Sequence, residues 1–173
     1  MAYKIAEKLM CMTDEVWTRH ANPWSVWTRI AMFPFWFLAI WSWVWIGWWA
    51  LAPVGILSAW TFLNPRVFKP YTDDSPWSTR GVLGERIFLN RKEIPIPSEH
   101  LIAAHILCIL AGLSLIGAII GFVTATFWLA LGGWLLSVTF KIWFVDRMVW
   151  LYDLMSKSVT EIGHGKILKG ELE

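Results

Sequence analysis

Two stretches of this chain carry no formal charge, and their length governs everything else that can be read from it. Residues 30–65, between Arg29 and Arg66, contain no Asp, Glu, Lys or Arg, and residues 100–140, between Glu99 and Lys141, contain only His100 and His105 as ionisable side chains. An apolar run of 18 or more residues reads as a transmembrane helix. At about 1.5 Å per residue, single helices over these runs would be roughly 54 and 61 Å long, about twice the ~30 Å hydrocarbon core of a bilayer. Each run is therefore expected to fold back on itself. The pattern predicts an all-α integral membrane protein with four transmembrane helices as two hairpins, over about 30–44, 48–64, 101–120 and 127–145.

The reversals are expected at residues 42–47, where Gly47 can adopt positive φ, and at 121–126. Pro34 and Pro53 fall near the starts of their spans, where a missing N–H matters least. Outside the runs the pattern changes. Ile5, Leu9, Met12 and Val16 share one helical stripe, which suits an amphipathic interfacial helix over residues 3–20. Asn22-Pro23 reads as a helix start. The connector 65–100 opens with a turn-rich stretch holding Pro70, Asp73, Asp74, Ser75 and Pro76. A short helix is expected over 78–90 with Leu83, Ile87 and Phe88 towards the membrane, then extended chain through Pro95 and Pro97, with Ser98 capping the third span. The last span is expected to continue as helix to about Lys157, helped by an Asp153–Lys157 pair. That makes residues 1–157 one membrane domain and 158–173 a polar C-terminal tail.

Composition agrees with the pattern. The 173 residues are 57% hydrophobic and 16% charged, against about 25% charged in soluble domains. A net charge of +2 gives nucleic acid no footing, and Cys11 and Cys108 lack the spacing of a zinc or disulfide motif. The chain holds 15 Trp. Trp41, Trp43, Trp45, Trp48 and Trp49 crowd the first reversal, and Trp24 and Trp27 precede the first span; the amphipathic indole favours the headgroup zone. All fifteen Lys and Arg lie in 1–29, 64–100 or 141–173, and none in either reversal. The positive-inside rule then places the protein in the plasma (inner) membrane, multi-pass, with both termini and the connector cytoplasmic. Residues 1–29 lack the apolar core of a signal peptide, so none is expected.

Several groups are candidates for chemistry or contact. Gly117/Gly121 and Ser114/Ala118 are spaced to let two helices approach closely, against a partner or within the bundle. Glu85, Arg86, Asp146 and Arg147 form a charge network at the inner membrane surface, with Asp146–Arg86 or Glu85–Arg147 pairing expected. His105 is a candidate axial ligand for a haem or chlorophyll, or a hydrogen-bonded structural residue. His20, among Thr18, Arg19, Asn22 and Arg29, could touch lipid phosphate or serve to cap and anchor helices. Phosphate-loop, GxSxG, HExxH and paired-carboxylate patterns are absent, so no catalytic residue, metal or cofactor is expected.

Residues 17–29, the run Trp45-Ile46-Gly47-Trp48-Trp49, Asn64-Pro65-Arg66, residues 83–86 with Asn90-Arg91, and residues 143–150 together resemble a family of small prokaryotic multi-span membrane proteins classed as a domain of unknown function. The resemblance covers roughly 14–155 and implies a membrane protein without implying an activity or site. The function expected is a non-catalytic accessory subunit of a larger membrane complex or a self-assembling scaffold, since the spans offer few polar groups to line a solute path. Its partners would be membrane lipids and other membrane subunits or its own copies. The alternatives are a small oligomeric channel or transporter with Lys141, Asp146 and Arg147 at its mouth, and a lipid-active enzyme using His20 and neighbouring Arg.

Overall fold

The computed structural model describes residues 13–92 and 94–168, with residue 14 and residues 157–168 by backbone alone. Its elements are α1 (Asp14–His20), α2 (Pro23–Ala31), α3 (Phe33–Trp41), α4 (Trp43–Ile46), a 3-10 turn (Gly47–Ala50), α5 (Leu51–Val67), α6 (Trp77–Leu89), α7 (Ser98–Val123) and α8 (Phe127–Leu168). The described residues are all-helical, without a strand. Three stretches are long and apolar enough to cross a membrane: Pro23–Val67, Ser98–Val123 and Phe127–Ser156. Of the expected amphipathic stripe, Val16 lies on α1, while Ile5, Leu9 and Met12 fall outside the described residues.

Local chemistry sets the boundaries. Thr13 caps α1 by accepting from Val16 N, and Asn22 caps α2 by accepting from Trp24 N at 3.0 Å, with Pro23 in the first turn. The helix start expected at Asn22–Pro23 is thus present, seven residues ahead of the apolar span expected from about 30. The helix divides at Met32 because Pro34 has no N–H for the carbonyl of Ile30. Gly47 adopts φ 55° where α4 gives way to the 3-10 turn, as its sequence position foretold. α5 then runs to Val67, past Pro65. Its last turn lies beside α2: Ser25 Oγ donates to Asn64 Oδ1 at 2.7 Å, and Asn64 Nδ2 donates to Thr28 Oγ1 at 2.9 Å. Arg19 donates to the carbonyl of Arg66 nearby. The two ends of Pro23–Val67 are therefore side by side.

α7 and α8 form the most extensive helix pair. The turn between them is shorter than expected: α7 continues through Gly121 to Val123, and Ala125 carries the reversal with φ 52°. Gly121 serves proximity instead, since a Cβ there would collide with the backbone of Ala130. Gly133 similarly admits the backbone of Ser114 and Ala118, whereas Gly117 faces open space. Trp43 Nε1 donates to the carbonyl of Phe122 at 3.0 Å and Trp134 Nε1 to that of Phe33 at 3.2 Å, tying the Pro23–Val67 stretch to the α7–α8 pair. Phe37, Trp41, Ala118, Phe122 and Ala130 make the core at this end.

At the other end α6 lies on α8 through Gly81 against Val145 and Gly84 against the backbone of Met148. Phe88, Ala104, Leu107, Phe144, Met148 and Leu151 form the core there. Of the face expected for α6, Phe88 is fully buried and Ile87 packs beside it; Leu83 is only half-buried, because small residues rather than large ones meet α8. Two further expectations, the cap at Ser98 and the helix end near Lys157, differ from the structure. Ser98 is the first helical residue rather than the cap, a position taken by Pro97. Asp153 takes Arg80 at 2.9 Å; Lys157, expected to pair with it, has its side chain outside the described residues, and the helix continues through 158–168 to Leu168.

Two substitutions test this packing. Gly84→Leu should destabilise the protein by roughly 3 kcal/mol, the upper part of the range for overpacking, while Gly117→Leu should not. Ala125→Gly should stabilise it by about 1 kcal/mol, because an L side chain with positive φ is strained and glycine is not. Thermal midpoints of the purified chain in detergent read out both; equal losses at positions 84 and 117 would refute the packing of α6 on α8.

Candidate functional site

Four helices bring their polar groups to one place. α1 ends on His20, the last turn of α2 supplies Arg29, α6 supplies Glu85, and α8 supplies Lys141. Together with Trp77 and the apolar side chains of Val26, Ile30, Phe33, Val82, Ile142 and Val145 they line a cavity of about 220 Å³. Lys141 is the first charged residue after the second uncharged run and Arg29 the last before the first run, so the cavity sits where the apolar helices become polar.

Its hydrogen bonding fixes a tautomer. Arg29 Nη1 lies 2.7 Å from His20 Nε2. A guanidinium only donates, so Nε2 must accept and the imidazole proton must reside on Nδ1. That Nδ1–H is buried and has no partner. Arg29 is itself anchored, with Nε donating to the carbonyl of Ser25 at 3.0 Å and Nη2 to that of His20 at 3.3 Å. Burial, then the charge of Arg29 and that of Lys141, hold the His20 pKa well below its ordinary value, so the ring is neutral at pH 7. Lys141 Nζ pairs with Glu85 Oε1 at 3.1 Å and lies over the ring of Phe144. Trp77 donates through Nε1 to Asp146 Oδ1 at 2.9 Å and stacks on Trp27.

The partners in the charge network differ from those expected. Glu85 takes Lys141 in place of Arg147, and Asp146 takes the indole of Trp77 in place of Arg86. Arg147 lies over the ring of Trp150 instead, and Arg86 is half-buried on α6. The reach of each side chain from a helix packed by glycine contact decides this, and sequence spacing gives no access to it. Of the polar residues around His20, Arg29 joins the cavity, whereas Arg19 reaches Glu15 and Asn22 reaches the carbonyl of Lys69. His105 donates from Nδ1 to the carbonyl of Leu101 at 2.7 Å and lies against Phe88. Trp24, Trp27 and Trp45 are exposed, and Trp48 and Trp49 are 86% and 79% exposed. Gly121 packs inside the chain and Gly117 faces outward.

Among the described residues no three His, Cys, Asp or Glu converge as metal ligands. The cavity itself presents one unfilled N–H donor, two cations and one carboxylate on largely apolar walls, an arrangement that can hold a polar group. Sequence reading missed Trp77 and the convergence of Glu85 with Lys141, which lie 56 positions apart. The available signal was the place of Lys141 at the very end of an uncharged run.

A family model matches residues 3–165, that of a family of unknown function, DUF6653. The chain belongs to DUF6653. No curated protein and no solved structure matches it. The DUF6653 match reaches about ten residues beyond the 14–155 of the resemblance at each end, so the lead into α1 and the distal part of α8 belong to the family pattern as well.

The neutral His20 makes stability depend on pH. The unfolded chain takes up a proton near pH 6.5 and the folded one only well below it, so folding stability is lost as pH falls through that window. The loss is bounded by ~1.4 kcal/mol per pH unit for one group. Thermal midpoints should fall between pH 7.5 and 5.5, and His20→Gln should flatten the slope; an unchanged slope in the variant would disprove the assignment.

Proposed function

We propose that this DUF6653 protein is a non-catalytic membrane protein that acts by assembly, as an accessory subunit of a larger complex or as a scaffold of its own copies. In this reading it crosses the plasma (inner) membrane four times as two hairpins, α2–α3 with α5 and α7 with the first part of α8. Both termini and the connector holding α6 face the cytoplasm. Helix lengths support this: α2 and α3 together span residues 23–41, about 28 Å, and the 17 residues of α5 about 26 Å, close to the ~30 Å core. The absence of Lys and Arg from both reversals supports the orientation.

One observation carries the assembly reading over a channel. The hydroxyls of Ser58, Thr61 and Thr139 donate to the carbonyls of Val54, Leu57 and Leu135 on their own helices, four residues back. Groups spent in this way do not replace the hydration shell of a passing solute. Near the supposed mouth, Lys141 and Asp146 are engaged by Glu85 and Trp77. The outward surface offers Leu113, Ile116, Ile120, Leu136 and Trp143, which suits contact with other helices or lipid.

Purified from membranes in a mild detergent at native abundance, the 20.0 kDa chain should migrate in a particle much larger than itself plus a micelle. Recovery of monomer alone would overturn the proposal, and reconstituted ion flux abolished by Asp146→Asn would replace it with the channel.

A further inference from the structure

We propose that the His20–Arg29–Lys141 cavity is the headgroup site for one anionic phospholipid, whose acyl chain lies in the groove between α3 and α8. The site goes beyond the assembly reading but rests on its membrane topology.

The groove is the reason to think of an amphiphile. A second, almost wholly apolar hollow of about 460 Å³ is lined by residues that include Phe37, Leu38, Leu131 and Leu135. It shares Ile30, Phe33 and Ile142 with the polar cavity, so the two adjoin across those side chains. From Ile142 to Leu131 along α8 is eleven residues, about 16 Å of helix and half of the ~30 Å hydrocarbon core. A polar pocket at the level of the first charges, adjoining an apolar groove one leaflet deep, matches the division of a lipid into headgroup and chain.

Charge and donors select the headgroup. Arg29 and Lys141 against Glu85, with His20 neutral, leave the lining with a net charge of one positive unit, matching the single negative charge of a phosphodiester. His20 Nδ1–H is a buried donor without an acceptor, which a phosphate oxygen would satisfy. Glu85 is held by Lys141, leaving no carboxylate for the ammonium of choline or ethanolamine. At ~30 Å³ per water the cavity has room for about seven waters, more than a carboxylate needs and enough for a phosphoglycerol group.

The test uses the full-length chain, delipidated in detergent and titrated with phosphatidylglycerol or phosphatidylcholine of identical acyl chains, with bound lipid counted by native mass spectrometry. One phosphatidylglycerol should bind about tenfold more tightly than phosphatidylcholine, as a charge-assisted contact of ordinary strength provides. Lys141→Gln keeps a donor for Glu85 but removes the charge, and should erase that preference. Leu135→Trp fills the groove at an exposed position and should weaken both lipids alike; it stands as the test should Lys141→Gln not fold. Equal binding of the two lipids, displacement by inorganic phosphate alone, equal competition by oleate, or a Leu135→Trp variant that binds normally would each overturn the site. A chain that resists alkaline extraction from membranes yet shows no preference loses only the lipid site; one that alkali extracts loses the topology beneath it.

Discussion

Inside a bilayer, burying apolar side chains against one another gains little, because the lipid tails they leave are as apolar as the partner they meet. Helices there hold together by close contact and by hydrogen bonds. In this chain the close contacts converge on α8. Gly121 and Gly133 bring α7 and α8 backbone to backbone, with Ala118 and Ala130 as the opposing small residues. Gly81 and Gly84 bring α6 against the same helix some fifteen residues further on. A single long helix thus serves as the post for two different neighbours, α7, which carries no charge beyond Glu99 in its first turn, and α6, which carries Arg80, Glu85 and Arg86. The positions of Lys141 and Glu85 at the cavity follow from that arrangement, since Lys141 lies on α8 between the two sets of contacts and Glu85 lies one residue beyond Gly84.

The cavity shows how the molecule handles charge at the edge of its apolar region. Arg29 is satisfied by two carbonyls and an imidazole, none of them charged. Such a pairing is stable only while the imidazole is neutral: a protonated His20 would turn an acceptor into a donor facing a guanidinium. Burial and the neighbouring cations both push in the same direction, towards the neutral ring. Lys141 is treated differently, receiving a carboxylate and the face of Phe144. The two cations are thereby fixed at separate sides of the cavity rather than competing for one partner.

How much of this was legible beforehand depended on whether the determinant was local. The helical class, the positive φ at Gly47 and the Asn22–Pro23 helix start follow from charge gaps and backbone chemistry, and each is present. That helix begins at Pro23, seven residues before the apolar span expected from about 30, because a cap begins a helix whereas hydropathy marks only where the uncharged run begins. Gly121 carries two readings in the sequence, part of the reversal and one of a pair of small residues for close helix approach; it makes the close approach, and only the facing helix distinguishes the two. Likewise, of the inner face of α6 expected from Leu83, Ile87 and Phe88, Phe88 and Ile87 join the core while Gly81 and Gly84 make the closest approach to α8 in place of Leu83. His20 and Arg29 are nine positions apart and stood out together, but Glu85 and Lys141 reach them only through the packing of α6 on α8.

The two ends of the molecule are accordingly held by different physics. Around the reversals, the ties are indole N–H groups given to backbone carbonyls, Trp43 to Phe122 and Trp134 to Phe33, among stacked aromatic rings. Around the termini and connector they are charged or ionisable: Arg80 with Asp153, Lys141 with Glu85, Tyr152 with Asp74, Arg29 with His20. Salt and proton concentration act on the second set and leave the first untouched, because screening weakens exposed pairs and protonation removes their carboxylates. Loosening should therefore begin where α6 leaves α8 and stop at the level of Phe33, where the uncharged packing begins. The cavity lies across that boundary, lined by Val82 and Glu85 of α6 on the part that conditions can move and by Phe33 where the uncharged packing begins.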